Sequence, residues 1–275
     1  MFSINNYTEN LIEKDSIYFA KNTGKISYPT DGNDNCFSLE DNSFWFKHRN
    51  NCIVTLFKKY AKDKLLFDIG GGNGFVSKGL EENSIQTCLV EPGIQGCLNA
   101  KKRGLTNIVC SDFNNAGFIT GTIPFFGLFD VIEHIENDDD FLNQINLKLT
   151  EGGGVILTVP AYRFLWSKED SDAGHFRRYT LSGLSKKLNE SGFDVIYSTY
   201  IFMFLCLPIL FFRTIPSLLG LFKTGTEKSK KEHTVNEKGV VSQILNRLFT
   251  FEIRRIEKNQ KIPFGGSCLI LAKKR

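Results

Sequence analysis

Residues Leu65–Gly74, LLFDIGGGNG, constrain the fold of this chain more than any other stretch. A short apolar run, Leu65, Leu66 and Phe67, ends at Asp68. Glycines then alternate at Gly70, Gly72 and Gly74, with Gly71 among them, before a helix-like pattern opens at Phe75. A strand, a glycine turn and a helix start make a loop whose backbone can approach a ligand closely, because glycine tolerates left-handed backbone and carries no side chain. Glu91 stands 21 residues past Gly70, at the end of a second apolar run, Cys88–Val90, with Pro92 beside it. An acid at that distance is placed to accept hydrogen bonds from a ribose diol.

The glycine spacing distinguishes between nucleotides. The dinucleotide pattern G-x-G-x-x-G, started at Gly70, needs glycine where this chain has Phe75. The pattern is instead D-x-G-x-G-x-G from Asp68, and it resembles the nucleoside-binding loop of class I S-adenosylmethionine-dependent methyltransferases. A pyrophosphate seeks a bare helix N-terminus. S-adenosyl-L-methionine, with its sulfonium, ammonium and carboxylate, has no phosphate, and an acid at the mouth of the loop suits it. Two alternatives stand beside this reading. An NAD-dependent oxidoreductase is disfavoured by Phe75 and Asp68, and a non-catalytic nucleoside-binding module would keep the loop yet tolerate loss of the histidines named below.

Composition narrows the class. With 41% hydrophobic and 23% charged residues over 275 positions, the chain reads as globular and large enough for one α/β domain with an insertion. A net charge of +4 without a basic stripe gives no reason to expect a nucleic-acid partner. Seven cysteines, with no C-x-x-C pair, suggest neither a disulfide framework nor metal-ligand spacing, and no metal ligand is expected. The start, MFSINNYTENLIEKD, lacks the basic and apolar regions of a signal peptide, so a cytoplasmic protein is expected.

Along the chain, residues 1–42 read as an irregular N-terminal extension and residues 43–275 as the main domain, with an insertion at about 201–262. A helix is expected over Ser43–Tyr60, capped by Ser43. Strands then alternate with helices: Leu65–Ile69, Thr87–Glu91, Asn107–Cys110, Phe125–Phe129 and Val155–Val159, with Glu151–Gly154 closing the helix that begins at Asp138. A further helix (Leu181–Ser191) and strand (Phe193–Tyr200) precede the insertion, and Ser267–Ala272 makes a last strand. That alternation argues for a Rossmann-like, doubly wound, parallel sheet with helices on both faces.

The chemistry-bearing residues fall after the strands. Asp112 could accept from an adenine amine and Phe113 could cover the ring; the alternative is a turn aspartate and a core phenylalanine. In FGLFDVIEHIEN, Phe126–Asn137, residues Asp130, Glu133 and His134 lie where a strand end meets the ligand crevice. Phe129 or Phe75 could offer a cation–π face to a sulfonium. In Gly174–Tyr179, GHFRRY, His175 is the best candidate to reach the transferred methyl, and Arg177 and Arg178 either pair with an anionic acceptor or shape the loop by binding Asp170 or Asp172. His134 and His175 are the candidate bases, since imidazole titrates near neutral pH.

Taken together, FWFKHRNN at Phe44–Asn51, the glycine loop, FDVIEHI, GGGVILTVP at Gly152–Pro160, LWSKEDSDAGHFRRYT at Leu165–Thr180 and PFGGSCLILAKK at Pro263–Lys274 are similar to a bacterial subfamily of class I methyltransferases. The resemblance implies a seven-stranded sheet with an antiparallel last strand. It also implies cofactor contacts at Asp68, the three glycines, Glu91 and Asp112, and a methionine-end contact from Phe129–Asp130. Gly71, Phe75, Pro92, Phe113 and His134 complete the expected cofactor pocket. One departure is Pro124, where relatives often carry an acid.

The insertion opens on IFMFLCLPILFF, Ile201–Phe212, which has no charge and is too short to span a bilayer at the roughly 20 residues required. Pro208 and Pro216 are expected to kink any helix there. A polar, Lys-rich loop over Lys223–Gly239 and an amphipathic helix over Val240–Ile256 follow. Three readings stay open for residues 201–222: short helices packed on the sheet edge, an apolar cover over a lipid-like acceptor or a dip into the membrane interface, or a transmembrane helix. The acceptor is expected to be a small or lipid-like molecule.

Overall fold

In the computed structural model, which describes residues 3–22, 37, 39–221 and 239–275, buried strands and capped helices alternate as the apolar pattern requires. The strands are β1 (Leu11–Lys14), β2 (Ile17–Ala20), β3 (Leu66–Ile69), β4 (Thr87–Glu91), β5 (Ile108–Cys110), β6 (Ile123–Phe129), β7 (Leu149–Pro160), β8 (Phe193–Ile201) and β9 (Ser267–Lys274). They form one sheet in the order β1-β2-β5-β4-β3-β6-β7-β9-β8. From β5 to β7 the pairs are parallel, and β9 runs antiparallel to both β7 and β8. The seven strands from β3 to β9 are the expected Rossmann-like sheet. Strand order reverses at β3, which pairs with β4 on one side and β6 on the other, and a crevice opens beyond the carboxyl ends of β3 and β6.

The pleat sends alternate residues to opposite faces. Phe67, Phe126, Val155 and Leu157 bury one face against Phe141, Leu142 and Ile145 of α4 (Asp138–Lys148) and Leu184 and Leu188 of α6 (Leu181–Glu190). Leu66, Phe125, Ile156 and Leu271 bury the other against α1 (Phe44–Ala61), α2 (Phe75–Glu81) and α9 (Val240–Glu257). Helix α3 (Ile94–Lys102) packs on β4 and β5 through Cys97 and Ala100. Short helices α5 (Lys168–Asp172), α7 (Cys206–Ile209) and α8 (Ile215–Leu218) lie in the loops. The helix starts follow capping chemistry: Ser43 accepts from the Phe46 N–H, Asn137 from Asp140, and Thr180 from Gly183. All six cysteines among the described residues are free and buried.

Two expectations need correction. Residues 11–20 are a β-hairpin, not irregular chain: β2 lies parallel to β5, and the buried Ile17 joins Leu89 and Ile108 in the core. Glu151–Gly154 does not close a helix but continues β7. Gly152 takes φ +69°, and a Cβ on Gly154 would come 2.8 Å from the Phe125 ring, so the glycines let this strand turn in and lie flat on β6. The register slips there between Ile123 and Phe125, around Pro124.

Pro208 lies in the first turn of α7, where its missing N–H costs nothing, and Pro216 lies in α8, where helical backbone already precedes it. A π-helical turn, Leu210–Thr214, joins the two. No helix among the described residues is long and apolar enough to cross a membrane. The Lys-rich stretch read over Lys223–Gly239 lies outside the described residues up to position 238.

The end of β8 is tied to α1 and α9 by a buried carboxylate. Glu252 accepts from His48 Nε2 at 2.8 Å and from the backbone N–H groups of Phe202 and Met203 at 2.9 and 2.7 Å. The His48 ring stacks on Phe249 at 4.0 Å, and Trp45 stacks on Phe202 at 3.6 Å.

Candidate functional site

The crevice is a cavity of about 870 Å³. Its floor is the glycine loop, where Gly70, Gly72 and Gly74 take φ of +65°, +54° and +75°, conformations that L side chains rarely adopt. A Cβ on Gly71 would come within 2.8 Å of Asp68 Oδ2 and overlap the Leu89 side chain. Asp68 itself is buried, and it borders the cavity together with the loop glycines. Its Oδ2 accepts from Ser77 Oγ at 2.7 Å, its Oδ1 has no partner among the described residues, and burial raises its pKa to about 7.

Glu91 braces the loop from the end of β4. Its Oε2 accepts from Gly72 N–H at 2.9 Å and its Oε1 from Gly93 N–H at 2.8 Å. Gly70, Gly71, Gly72, Glu91 and Pro92 all border the cavity; Gly74 and Phe75 do not. Gly74 is where α2 meets α3, since a Cβ there would lie 2.9 Å from Ala100 Cβ. The Phe75 ring meets Phe46 edge-on at 6.2 Å and lies under the Arg103 guanidinium at 5.4 Å. Asp112 and Phe113 both border the cavity. Asp112 accepts from the backbone and side-chain amides of Asn115 at 2.8–3.0 Å, and Phe113 packs in the core with Phe118, Phe126 and Phe141.

The opposite wall begins where β6 ends. Phe129 and Asp130 border the cavity, Asp130 with φ +58°. Asp130 N–H donates to the Thr158 carbonyl, its Oδ1 accepts from Thr158 Oγ1 at 3.1 Å, and its Oδ2 is ion-paired with Arg49 of α1. The sequence reading missed Arg49; the available signal was a His48–Arg49 pair within a helix otherwise bearing core residues. Glu133, in the 3-10 turn Ile132–His134, is 0% exposed and neither carboxylate oxygen has a hydrogen-bond partner among the described residues. Burial, then the nearby Asp130, pushes its pKa well above the usual carboxylate range.

His134 and His175 meet edge to face at 4.7 Å. Burial, then the His175 charge, lowers the His134 pKa to about 4, so this imidazole is neutral at physiological pH. His175 Nδ1 pairs with Asp170 Oδ1 at 2.9 Å. Asp170 also takes a two-pronged grip from Arg178 (2.7 and 3.0 Å) and the Ser167 N–H. Burial opposes its ionisation, but these donors outweigh it and hold the Asp170 carboxyl well below its ordinary value. Arg177 pairs with Asp138 at 2.6 Å. Both arginines therefore shape the loop, the alternative reading, and neither is spare for an anionic acceptor. Ile209 and Arg213 of the insertion close the rim, Arg213 ion-paired with Glu169. Beyond them Leu207, Phe211, Phe212, Leu218 and Leu219 are exposed, Phe212 by 74% and Leu218 by 76%.

Comparison with known proteins gives this geometry a context. A family model described as a methyltransferase domain matches residues 49–198. No curated protein matches the chain. A chain from the complex of the Haloferax volcanii Trm112 methyltransferase activator is 13% identical, with a TM-score of 0.55 over 89% of this chain and 93% of that one. Haemonchus contortus phosphoethanolamine N-methyltransferase 2, solved with S-adenosyl-L-methionine, is 14% identical, with a TM-score of 0.55 over 91% of this chain and 58% of that one. An Archaeoglobus fulgidus SAM-dependent methyltransferase is 18% identical, with a TM-score of 0.50 over 84% and 100%. At these identities the likeness is one of fold.

Proposed function

The chain belongs to the methyltransferase-domain family and is an S-adenosylmethionine-dependent methyltransferase, and from that premise we propose that it methylates a small-molecule or lipid-like acceptor bound between the glycine loop and the His134–His175 pair. One observation carries the reading: a single cavity runs from Gly70–Gly72 past both imidazoles to Ile209 and Arg213, at the foot of an exposed apolar surface.

S-adenosylmethionine supplies a methyl on a positively charged sulfonium, and S-adenosylhomocysteine is the product. The residues suit that ligand. The glycine loop has no room for a Cβ at Gly71, so backbone approaches what sits above it. The unpartnered Asp68 Oδ1 adds a hydrogen-bonding atom, and the carboxylates of Glu91 and Asp130 add acceptors and negative charge. That charge favours a cationic thioether donor and disfavours a pyrophosphate. We place cofactor contacts at Asp68, Gly70, Gly71, Gly72, Glu91, Pro92, Asp112, Phe129 and Asp130.

His134 and His175 act on the acceptor. Nδ1 of His175 is engaged by Asp170, which leaves Nε2 outside that pair, and His134 is neutral. The protein's main contribution is alignment of donor and acceptor, because the activated methyl carries the chemistry. The apolar segment ending at Leu221 serves as a peripheral contact with a lipid surface, from which an acceptor can enter over Ile209.

The test uses the purified chain with tritiated S-adenosylmethionine and, separately, a lipid extract and a water-soluble metabolite extract. Label recovered in an extractable small molecule or lipid is expected. Label that enters only protein or nucleic acid overturns the acceptor class, and tight NADH binding with no S-adenosylhomocysteine binding overturns the cofactor.

A further inference from the structure

We propose that Glu133, His134 and His175 form a binding site for a divalent transition-metal ion on the acceptor side of the cavity. One ligand atom from each of the three lies within 4.8 Å of the others, and all three residues border the cavity.

The strongest sign is Glu133. A side chain with no exposure and two carboxylate oxygens lacking partners is costly, since a buried acceptor that loses water and gains no partner forfeits its hydration. The burial is not incidental: its own backbone carbonyl accepts from Phe176 N–H at 2.8 Å, which draws the His175 loop over it. A cation at this point satisfies both oxygens.

The imidazoles carry the second sign. Histidines that bind metal almost always give their other ring nitrogen to a carboxylate or a backbone carbonyl. Here Asp170 takes Nδ1 of His175, which leaves Nε2 outside that pair. Asp170 is in turn clamped by Arg178 and Ser167, so the His175 ring is held by a support with no freedom to turn.

A second cluster of the same residue types shows the contrast. In His48, Cys52 and Glu252 each carboxylate oxygen is already engaged by His48 or a backbone N–H, so no acceptor is left to recruit an ion.

Two imidazoles and one carboxylate suit zinc, manganese or cobalt better than magnesium or calcium, which prefer all-oxygen shells. Three protein ligands leave positions open toward the cavity. The class of acceptor follows, and this step rests on the methyltransferase reading above: a hydroxyl-bearing molecule whose oxygen occupies an open position. The hydroxyl loses its proton to solvent, its oxygen lone pair forms the bond to the methyl carbon, and the carbon–sulfur bond breaks with its electron pair left on sulfur. The imidazoles then hold the ion rather than the proton.

The test strips the full chain with a chelator, then titrates it with cobalt(II) by visible absorption and with zinc(II) by calorimetry. S-adenosylhomocysteine binding is measured in parallel. One equivalent is expected, with affinity at least tenfold weaker in Glu133→Gln and in His175→Asn, and 10- to 100-fold weaker in Asp170→Asn. Two independent ligand variants keep the test decisive if one fails to fold. Absence of saturable binding, or binding unchanged in Glu133→Gln and His175→Asn, overturns the ion site and leaves the methyltransferase reading intact if S-adenosylhomocysteine still binds. Loss of S-adenosylhomocysteine binding in the unmodified chain overturns that reading instead, and the ion titration still decides the site.

Discussion

Asp68→Asn is expected to raise thermal stability at pH 8 and to change little near pH 4. The Asp68 carboxyl has an ordinary pKa of 3.8 and is lifted to about 7 in the folded chain. Burial is the main cause. The Ser77 hydroxyl at 2.7 Å and the Arg49 charge oppose it, and the Glu91 charge adds to it. The folded form therefore keeps its proton between pH 4 and 7 while the unfolded chain has shed its own. Stability from this group is intact below about pH 4, declines as pH rises toward 7, and is level above. At 1.36 kcal/mol per pH unit the loss is on the order of 4 kcal/mol. Asparagine is neutral throughout and keeps an acceptor for Ser77. For a domain this large, roughly 2–4 °C per kcal/mol makes the gain about 10 °C at pH 8. Paired calorimetric melts from pH 4 to 8 check this. The gap between variant and parent must open over that window, and parallel curves refute a buried, proton-holding Asp68.

Other perturbations address the neighbouring parts. Glu91→Ala removes the acceptor that braces Gly72 and Gly93 and should weaken S-adenosylhomocysteine binding by about 1–3 kcal/mol in calorimetry; unchanged affinity means that Glu91 does not serve the cofactor. Gly71→Ala pushes a methyl against Leu89 and the Asp68 carboxylate and should cost about 1–3 kcal/mol in denaturant unfolding together with cofactor binding. A neutral result shows the loop to be more open than described. Phe211→Ser with Phe212→Ser removes two exposed rings, each contributing about 1.5–3 kcal/mol when buried, so sedimentation with anionic phospholipid vesicles should fall at least tenfold. Equal sedimentation removes the lipid contact.

The parts of the fold legible in the sequence are those set by local rules. Thr87–Glu91 runs between the bounds read from the apolar pattern, and Ser43 caps its helix, because periodicity and capping act over a few residues. The hairpin at 11–20 escaped because its strands are only four residues each, and only the neighbouring β5 and β4 give Ile17 a place to bury. Glu151–Gly154 misled because glycine ends helices as readily as it lets strands approach closely, and only the Phe125 ring decides between the two. In the candidate site the glycine loop, Glu91 and the two imidazoles could be named from spacing. The Arg49–Asp130 pair joins residues 81 apart, and the isolation of Glu133 depends on everything packed around it, so neither leaves a mark in a linear pattern.

Glu252 sets how the insertion can move. Its carboxylate grips an imidazole on α1 and closes the turn after β8, so α9 cannot peel away without stranding a charge and two amides in the dry interior. That cost exceeds what surface loops pay to open, and α9 should exchange its amide hydrogens as slowly as the central strands. Any gating over the crevice is thereby confined downstream of Met203, to the short helices around Pro208 and Pro216: a flap riveted at both roots.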